Sequence, residues 1–129
     1  STLATLFSAA ICMTQLANIL TAVVALLHAG FLVLEMLLWD KPLGLKIFRH
    51  GREFARASRV LAMNQGLYNG FLAAGLVWGL SLGEAGYAIK LFFLGCVVIA
   101  GVFGGLTASR IILLVQALPA AIALALFLV

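Results

Sequence analysis

Glu35, His28, Asn64, Gln65, Tyr68, Asn69 and Gln116 are ionisable or hydrogen-bonding side chains set inside long apolar runs. Four of them, Asn64, Gln65, Tyr68 and Asn69, fall within six consecutive positions of the run Met63-Asn64-Gln65-Gly66-Leu67-Tyr68-Asn69-Gly70-Phe71-Leu72. An amide or hydroxyl taken out of water without a partner is costly. Ionisable groups in an apolar span therefore point to a site by default. Glu35, Tyr68 and His28 have the chemistry of catalytic groups, with Glu35 as a proton acceptor and His28 as an acid, a base or a cofactor ligand. Asn64, Gln65, Asn69 and Gln116 are suited to holding a ligand. Arg59 and Arg110 would stand at the rim and could pair Glu35.

The same residues also support a structural reading. Hydrogen bonds between membrane helices are worth roughly 1 kcal/mol each, and such a network would hold a bundle or an oligomer together without doing chemistry. A lone histidine in a span is more often hydrogen-bonded than catalytic. Small soluble-enzyme motifs are absent: there is no phosphate loop, no GxSxG, no HExxH and no paired metal ligands. Cys12 and Cys96 lie in apolar runs and form no CxxC pair, so they read as small apolar residues.

The elements that must position these groups follow from composition. The chain has 129 residues, 65% hydrophobic and 9% charged, with a mean hydropathy of +1.23. Soluble domains carry roughly a quarter charged residues, so the composition argues against a water-soluble protein. The apolar runs are long and continuous, which indicates helices rather than strands of a barrel. The length has room for about four spans at roughly 20 residues each. The expectation is an all-α, integral membrane four-helix bundle, with the lipid bilayer as its first partner.

In chain order, Ser1–Met13 is apolar and uncharged and lacks the basic start of a signal peptide. Residues 1–15 read as an interfacial extension or as the start of a long first helix. The spans are expected at about 16–39, 60–80, 87–106 and 111–129. Trp39, followed by Asp40-Lys41-Pro42, marks the end of the first at the membrane interface. Residues 40–59 read as a polar loop with a short amphipathic helix in it. This loop carries Lys41, Lys46, Arg49, Arg52, Arg56 and Arg59 against Asp40 and Glu53. The net charge of +4 is thus concentrated in one place. That is a topology signal and not a nucleic-acid signal: the loop is expected in the cytoplasm of a bacterial inner membrane, with both termini outside. Contact with anionic headgroups or an anionic ligand is a second use for it. Gly66/Gly70, Gly75/Gly79 and Gly101/Gly105 repeat the four-residue spacing that lets membrane helices approach closely.

Counting from the cytoplasmic anchors gives depth. Glu35 lies four residues from Trp39, roughly 6 Å at the helical rise, and Asn64 five residues from Arg59, roughly 7–8 Å. Gln116 lies roughly 9 Å beyond Arg110. His28 falls near the level of Tyr68 to Phe71. The sequence thus predicts a polar layer in the cytoplasmic half of the bilayer.

The segments Val24-Ala25-Leu26-Leu27-His28, Leu34-Glu35-Met36 with Trp39, and Asn64-Gln65-Gly66-Leu67-Tyr68-Asn69-Gly70-Phe71-Leu72-Ala73-Ala74-Gly75 resemble a family of small bacterial inner-membrane proteins, domain of unknown function 1304. The resemblance covers about Ala17 to Val129 and implies no activity. A weaker similarity joins Arg56-Ala57-Ser58-Arg59, Tyr68, Phe71-Leu72, Gly75 and Val77-Trp78 to the second helix of the membrane-associated eicosanoid and glutathione metabolism superfamily. That likeness implies a four-span homotrimer with sites between subunits. Styrene oxide isomerase is similar at Arg56-Ala57 and Asn64, but Ser58 stands where its haem-binding histidine would fall. These similarities concern architecture, not activity.

The first functional expectation is a small lipophilic molecule or cofactor, of no nameable identity, bound in the polar layer between subunits of a homo-oligomer. The chemistry would be isomerase- or transferase-like. The alternatives are a proton-coupled small-molecule exporter using Glu35, and a structural or accessory membrane subunit.

Overall fold

The computed structural model describes residues 1–129 and is all-helical, with no strand. Five α-helices follow one another: α1 Thr2–Met36, α2 Pro42–Phe48, α3 Arg52–Ser81, α4 Tyr87–Thr107 and α5 Leu118–Leu128. A 3-10 turn, Gly83–Gly86, leads into α4, and a π-helical turn, Leu113–Ala117, leads into α5. By contact the chain divides into two compact units, residues 1–25 with 75–129, and residues 26–74.

The sequence explains the length of α1. No glycine or proline breaker stands between Ser1 and Gly30, so Ser1–Met13 and the following span form one helix of 35 residues. Two of its threonines turn back onto their own backbone, Thr5 Oγ1 donating to the Ser1 carbonyl and Thr21 Oγ1 to the Ala17 carbonyl at 2.7 Å. Such a local bond satisfies a polar group without a distant partner. Pro42 sets the first turn of α2, where its missing N–H costs nothing. Arg49 ends α2 in the left-handed region with φ of 55°.

In the unit of residues 26–74, the end of α1 packs against α3 through bare backbone. A Cβ added at Gly66 would lie 2.6 Å from Met36 Cγ and 3.2 Å from the Leu32 carbonyl oxygen, and one at Gly70 would lie 2.5 Å from Leu32 Cδ1. Glycine at 66 permits the close approach of the Leu32 carbonyl, and glycine at 70 leaves room for the Leu32 side chain. Ala55, Ala62, Gly66, Asn69 and Ala73 form the buried stripe of α3 in this unit, recurring at the three- and four-residue steps of one helix face. The loop expected over 40–59 is shorter than the sequence indicates. Helix α3 begins at Arg52, so Arg52, Arg56 and Arg59 ride on a helix. Glu53 in its first turn complements the helix dipole there.

In the other unit, α4 packs on the π-helical turn and on α5. Leu76, Leu94, Val97, Ala120 and Ala123 are fully buried. Gly101 admits Ala117, whose backbone nitrogen would lie 2.6 Å from an added Cβ. Pro119 lacks a donor for the carbonyl four residues back, and the helix ahead of it widens so that the Leu118 N–H reaches the Leu113 carbonyl.

Two helical segments are long and apolar enough to cross a membrane, Thr2–Met36 and Gly83–Thr107. Leu113–Leu128 is apolar but shorter. Helix α3 has the length, with 30 residues, but three arginines and the amides of Asn64, Gln65 and Asn69 dilute its apolar character. Large apolar side chains stand exposed along these helices, among them Leu26 at 73%, Leu61 at 74% and Ile99 at 72%. That is the surface lipid would cover.

Candidate functional site

The centre of the site is one contact between α1 and α3. Asn69 Nδ2 donates to Glu35 Oε1. Asn69 is buried and Glu35 half-buried. Helix geometry makes this pair possible. His28, Leu32 and Glu35 follow at i, i+4 and i+7 on one face of α1. Leu32 and the Glu35 Cβ lie against Gly66 and Gly70. A side chain at either glycine would hold the helices apart and separate carboxyl from amide. The Glu35 carboxyl takes no second hydrogen bond and no cation.

His28 is fully buried and stands edge-on to Phe31, with ring centroids 5.3 Å apart. It lies two turns from Glu35 on the same helix face.

The polar run of α3 divides by helix face. Asn69 lies on the buried stripe with Ala62, Gly66 and Ala73, whereas Asn64, Gln65 and Tyr68 are exposed. The Asn64 amide donates to the Val60 carbonyl of its own helix at 2.8 Å. Tyr68 is 55% exposed and its ring lies 6.1 Å from that of Phe71. Asn64, Tyr68 and Phe71 thus make an outward row at helical spacing.

Arg59 does not reach Glu35. It approaches Asp40 instead, at 3.9 Å, an exposed pair of little energetic weight. The reason is register. The sequence matched Glu35 in depth to Asn64, but the structure opposes Glu35 to Gly66 and Asn69. Residues 37–40 leave the helix, and Trp39 Nε1 donates to Ser58 Oγ at 3.0 Å, which fixes the helices about one turn from the counted alignment. Arg59 is ten residues before Asn69, roughly 15 Å along the axis.

Gln116 and Arg110 belong to the other unit. Gln116 is half-buried in the π-helical turn, and Arg110 is exposed in the turn after α4.

Ser58, at the position where the similarity to styrene oxide isomerase would call for a haem-binding histidine, does not fit that task. Its hydroxyl accepts from Trp39 and donates to the Phe54 carbonyl at 2.7 Å, and it offers no nitrogen.

Two clusters were invisible in the sequence. Lys90, 4% exposed, donates to Asn18 Oδ1 at 2.9 Å and sits 4.9 Å over the Phe127 ring. Tyr87 donates to the Phe127 carbonyl at 3.0 Å. The sequence indicates Lys90 only as a charge near the end of a span. Its partners are 72 and 37 residues away, beyond any spacing rule, although Asn18, an amide inside the first apolar run, is the kind of residue that something must meet. The second cluster gathers Trp39, Phe48, His50 and Phe54, with ring centroids 4.4–5.8 Å apart. The His50 Nε2 lies 3.1 Å from the Trp39 carbonyl oxygen.

Comparison with known proteins agrees with the resemblance read from the residues. The chain is 32% identical over 106 residues to the uncharacterized protein YpaA of Lactococcus lactis subsp. lactis (strain IL1403), a match that covers 81% of this chain and 89% of the relative. No solved structure matches. The family described as protein of unknown function (DUF1304) matches residues 22–128, the stretch that carries His28, the Glu35–Asn69 pair and the Asn64–Gly70 run, and the chain belongs to that family.

Proposed function

We propose that this chain is a multi-pass bacterial inner-membrane protein whose Glu35–Asn69 contact is the floor of a polar intramembrane site for a small lipophilic molecule. The observation that supports it is the Glu35 carboxyl, held by one neutral donor with no cation beside it, on a helix apolar enough to cross a membrane. A carboxyl kept for packing alone would gain from a second donor. His28 stands on the same face of α1 as the acid. Asn64, Gln65 and Tyr68 belong to the outward face, where a second copy of the chain or the ligand itself would meet them. The site then lies in the cytoplasmic half of the bilayer, with the basic hairpin inside and both termini outside. Its chemistry would be an isomerase- or transferase-like proton shift at Glu35, with Tyr68 completing the site across subunits of a homo-oligomer.

The test is to purify the full chain in mild detergent and identify small molecules that stay with it by mass spectrometry. A retained lipophilic compound that is lost in Glu35→Gln and in Asn69→Leu supports the site. A chain that retains nothing, with variants that change only thermal stability, assigns the contact to helix packing.

One observation favours a second reading. Glu35 has no cation against its carboxyl, which suits a group that must gain and lose a proton during transport. A proton-coupled exporter predicts substrate-driven proton flux in proteoliposomes. Unchanged flux in Glu35→Gln would sink it.

A further inference from the structure

We propose that α2 and the first turns of α3 form a docking surface for the anionic lipid headgroups of the membrane. Lys41, Lys46, Arg49, Arg52, Arg56 and Arg59 are all exposed, and the ion pair they make is the one between Arg59 and Asp40. Arg52, Arg56 and Arg59 repeat at four and three residues, so their guanidinium groups share one face of α3. Among these charges stand exposed apolar side chains: Leu43 at 51%, Ile47 at 49% and Phe54 at 58%. Leu43 and Ile47 are one turn apart on α2 and form a short apolar row.

The row cannot turn inward. Gly44 is pressed against the Leu38 carbonyl, with no room for a side chain, and Phe48 packs on Trp39 at 4.7 Å. His50 bonds the Trp39 carbonyl and Trp39 bonds Ser58, so the hairpin is closed on itself with its apolar row and its cations left outside. That pairing selects the partner. A soluble anion would use the charges and leave the apolar row in water. A nucleic acid would do the same. The boundary between headgroups and acyl chains takes both, since apolar side chains sink below the phosphates while arginine and lysine reach up to them. Each such cation adds attraction to an anionic leaflet, and guanidinium groups bind phosphate oxygens in pairs.

The inference rests on α1 crossing a membrane. Alkaline carbonate extraction of cell membranes tests that separately: release of the chain would remove the ground for both. For the lipid surface, the full chain in neutral detergent is offered equal amounts of phosphatidylglycerol and phosphatidylcholine, and bound lipid is read by native mass spectrometry. Phosphatidylglycerol should be retained over phosphatidylcholine by about tenfold or more, given the number of cations, and the preference should shrink as salt is raised. The Arg49→Gly/Arg52→Gln/Arg56→Gln variant should lose most of that preference, with glycine chosen because residue 49 has positive φ. Arg52→Lys/Arg56→Lys should keep it. Leu43→Ser/Ile47→Ser should weaken retention of both lipids alike. Equal retention of the two lipids by the unaltered chain, or an undiminished preference in the triple variant, would overturn the proposal. So would displacement of phosphatidylglycerol by millimolar inorganic phosphate, which would assign the cations to a free anion. If the triple variant does not fold, the salt titration on the unaltered chain decides, and a salt-independent preference overturns it.

Discussion

At the scale of single residues, burial decides which polar groups matter. Asn69 is 5% exposed and its amide has one acceptor, Glu35. Glu35→Gln keeps an oxygen in place to accept that bond, so it should cost little stability. Asn69→Leu leaves the carboxyl without a donor in an apolar setting and should cost about 1–3 kcal/mol, the penalty of an unsatisfied buried group. Thermal unfolding in detergent compares the two, and equal losses would mean that the hydrogen bond is not what holds the helices. Lys90 poses the same question in the other unit. Its ammonium rests on one amide oxygen and one aromatic face. Asn18→Leu removes the oxygen and strands the charge, whereas Lys90→Met removes the charge and keeps the alkyl stem that packs on Gly79. The rule that breaking a buried polar pair costs more than replacing its charged member with an apolar residue makes Asn18→Leu the more damaging change. A double variant close in stability to Lys90→Met, rather than to the sum of both losses, would confirm the coupling.

At the scale of elements, glycine placement does the work that hydropathy cannot. Gly66 lets the Leu32 carbonyl of α1 approach the α3 backbone and Gly70 makes room for the Leu32 side chain, and the spacing of the two glycines was legible in the sequence because small residues four apart suit close helix packing in a span. The candidate acid, the buried histidine and the amide run were legible for a related reason, since polar groups in apolar runs stand out whatever their partners. What could not be read was register. Counting depth from Trp39 and Arg59 assumes that both are the last residues of straight helices, yet α1 stops at Met36 and α3 starts at Arg52. The count therefore opposed Glu35 to Asn64 instead of Asn69. The faces of α3 were equally hidden, because Asn64, Gln65, Tyr68 and Asn69 spread over roughly 140° of the helix and only packing shows which of them turns inward. Gly66→Leu is the variant that tests the element. It would push Met36 and Glu35 away and open the Asn69 bond, with a loss of about 1–3 kcal/mol typical of overpacking. Gly30→Leu, where nothing lies within 4 Å, is the control: leucine is the better helix former, so it should cost nothing, and equal damage from both would show that close approach does not set the cost.

At the scale of the whole molecule, the outward face of α3 carries polar groups that the chain itself does not cover. Asn64, Gln65 and Tyr68 are exposed, beside an exposed Phe71. In lipid, such a row would hold two amides and a phenol against acyl chains, where partly satisfied donors remain unfavourable. Asn64 mitigates this by bonding its own helix, but that bond uses one of the two amide protons and leaves the carbonyl oxygen free of any protein donor. A second copy presenting the same row would pair amide with amide across a symmetric interface, with roughly 1 kcal/mol per bond. The proposed homo-oligomer would give these groups such partners in a membrane. Asn64→Leu/Tyr68→Phe removes the amide and the hydroxyl while it keeps size and apolar contact. If the row is an interface, light scattering in detergent should show the mass fall toward that of a single chain as protein is diluted, at concentrations where the unaltered chain remains associated. If the row instead faces a ligand, the mass should hold while retention of the lipophilic molecule falls, since the outward polar groups then contact that molecule and not a neighbour. A variant with unchanged mass and unchanged retention would leave these residues to lipid alone, and both the oligomer and the shared site would have to be given up.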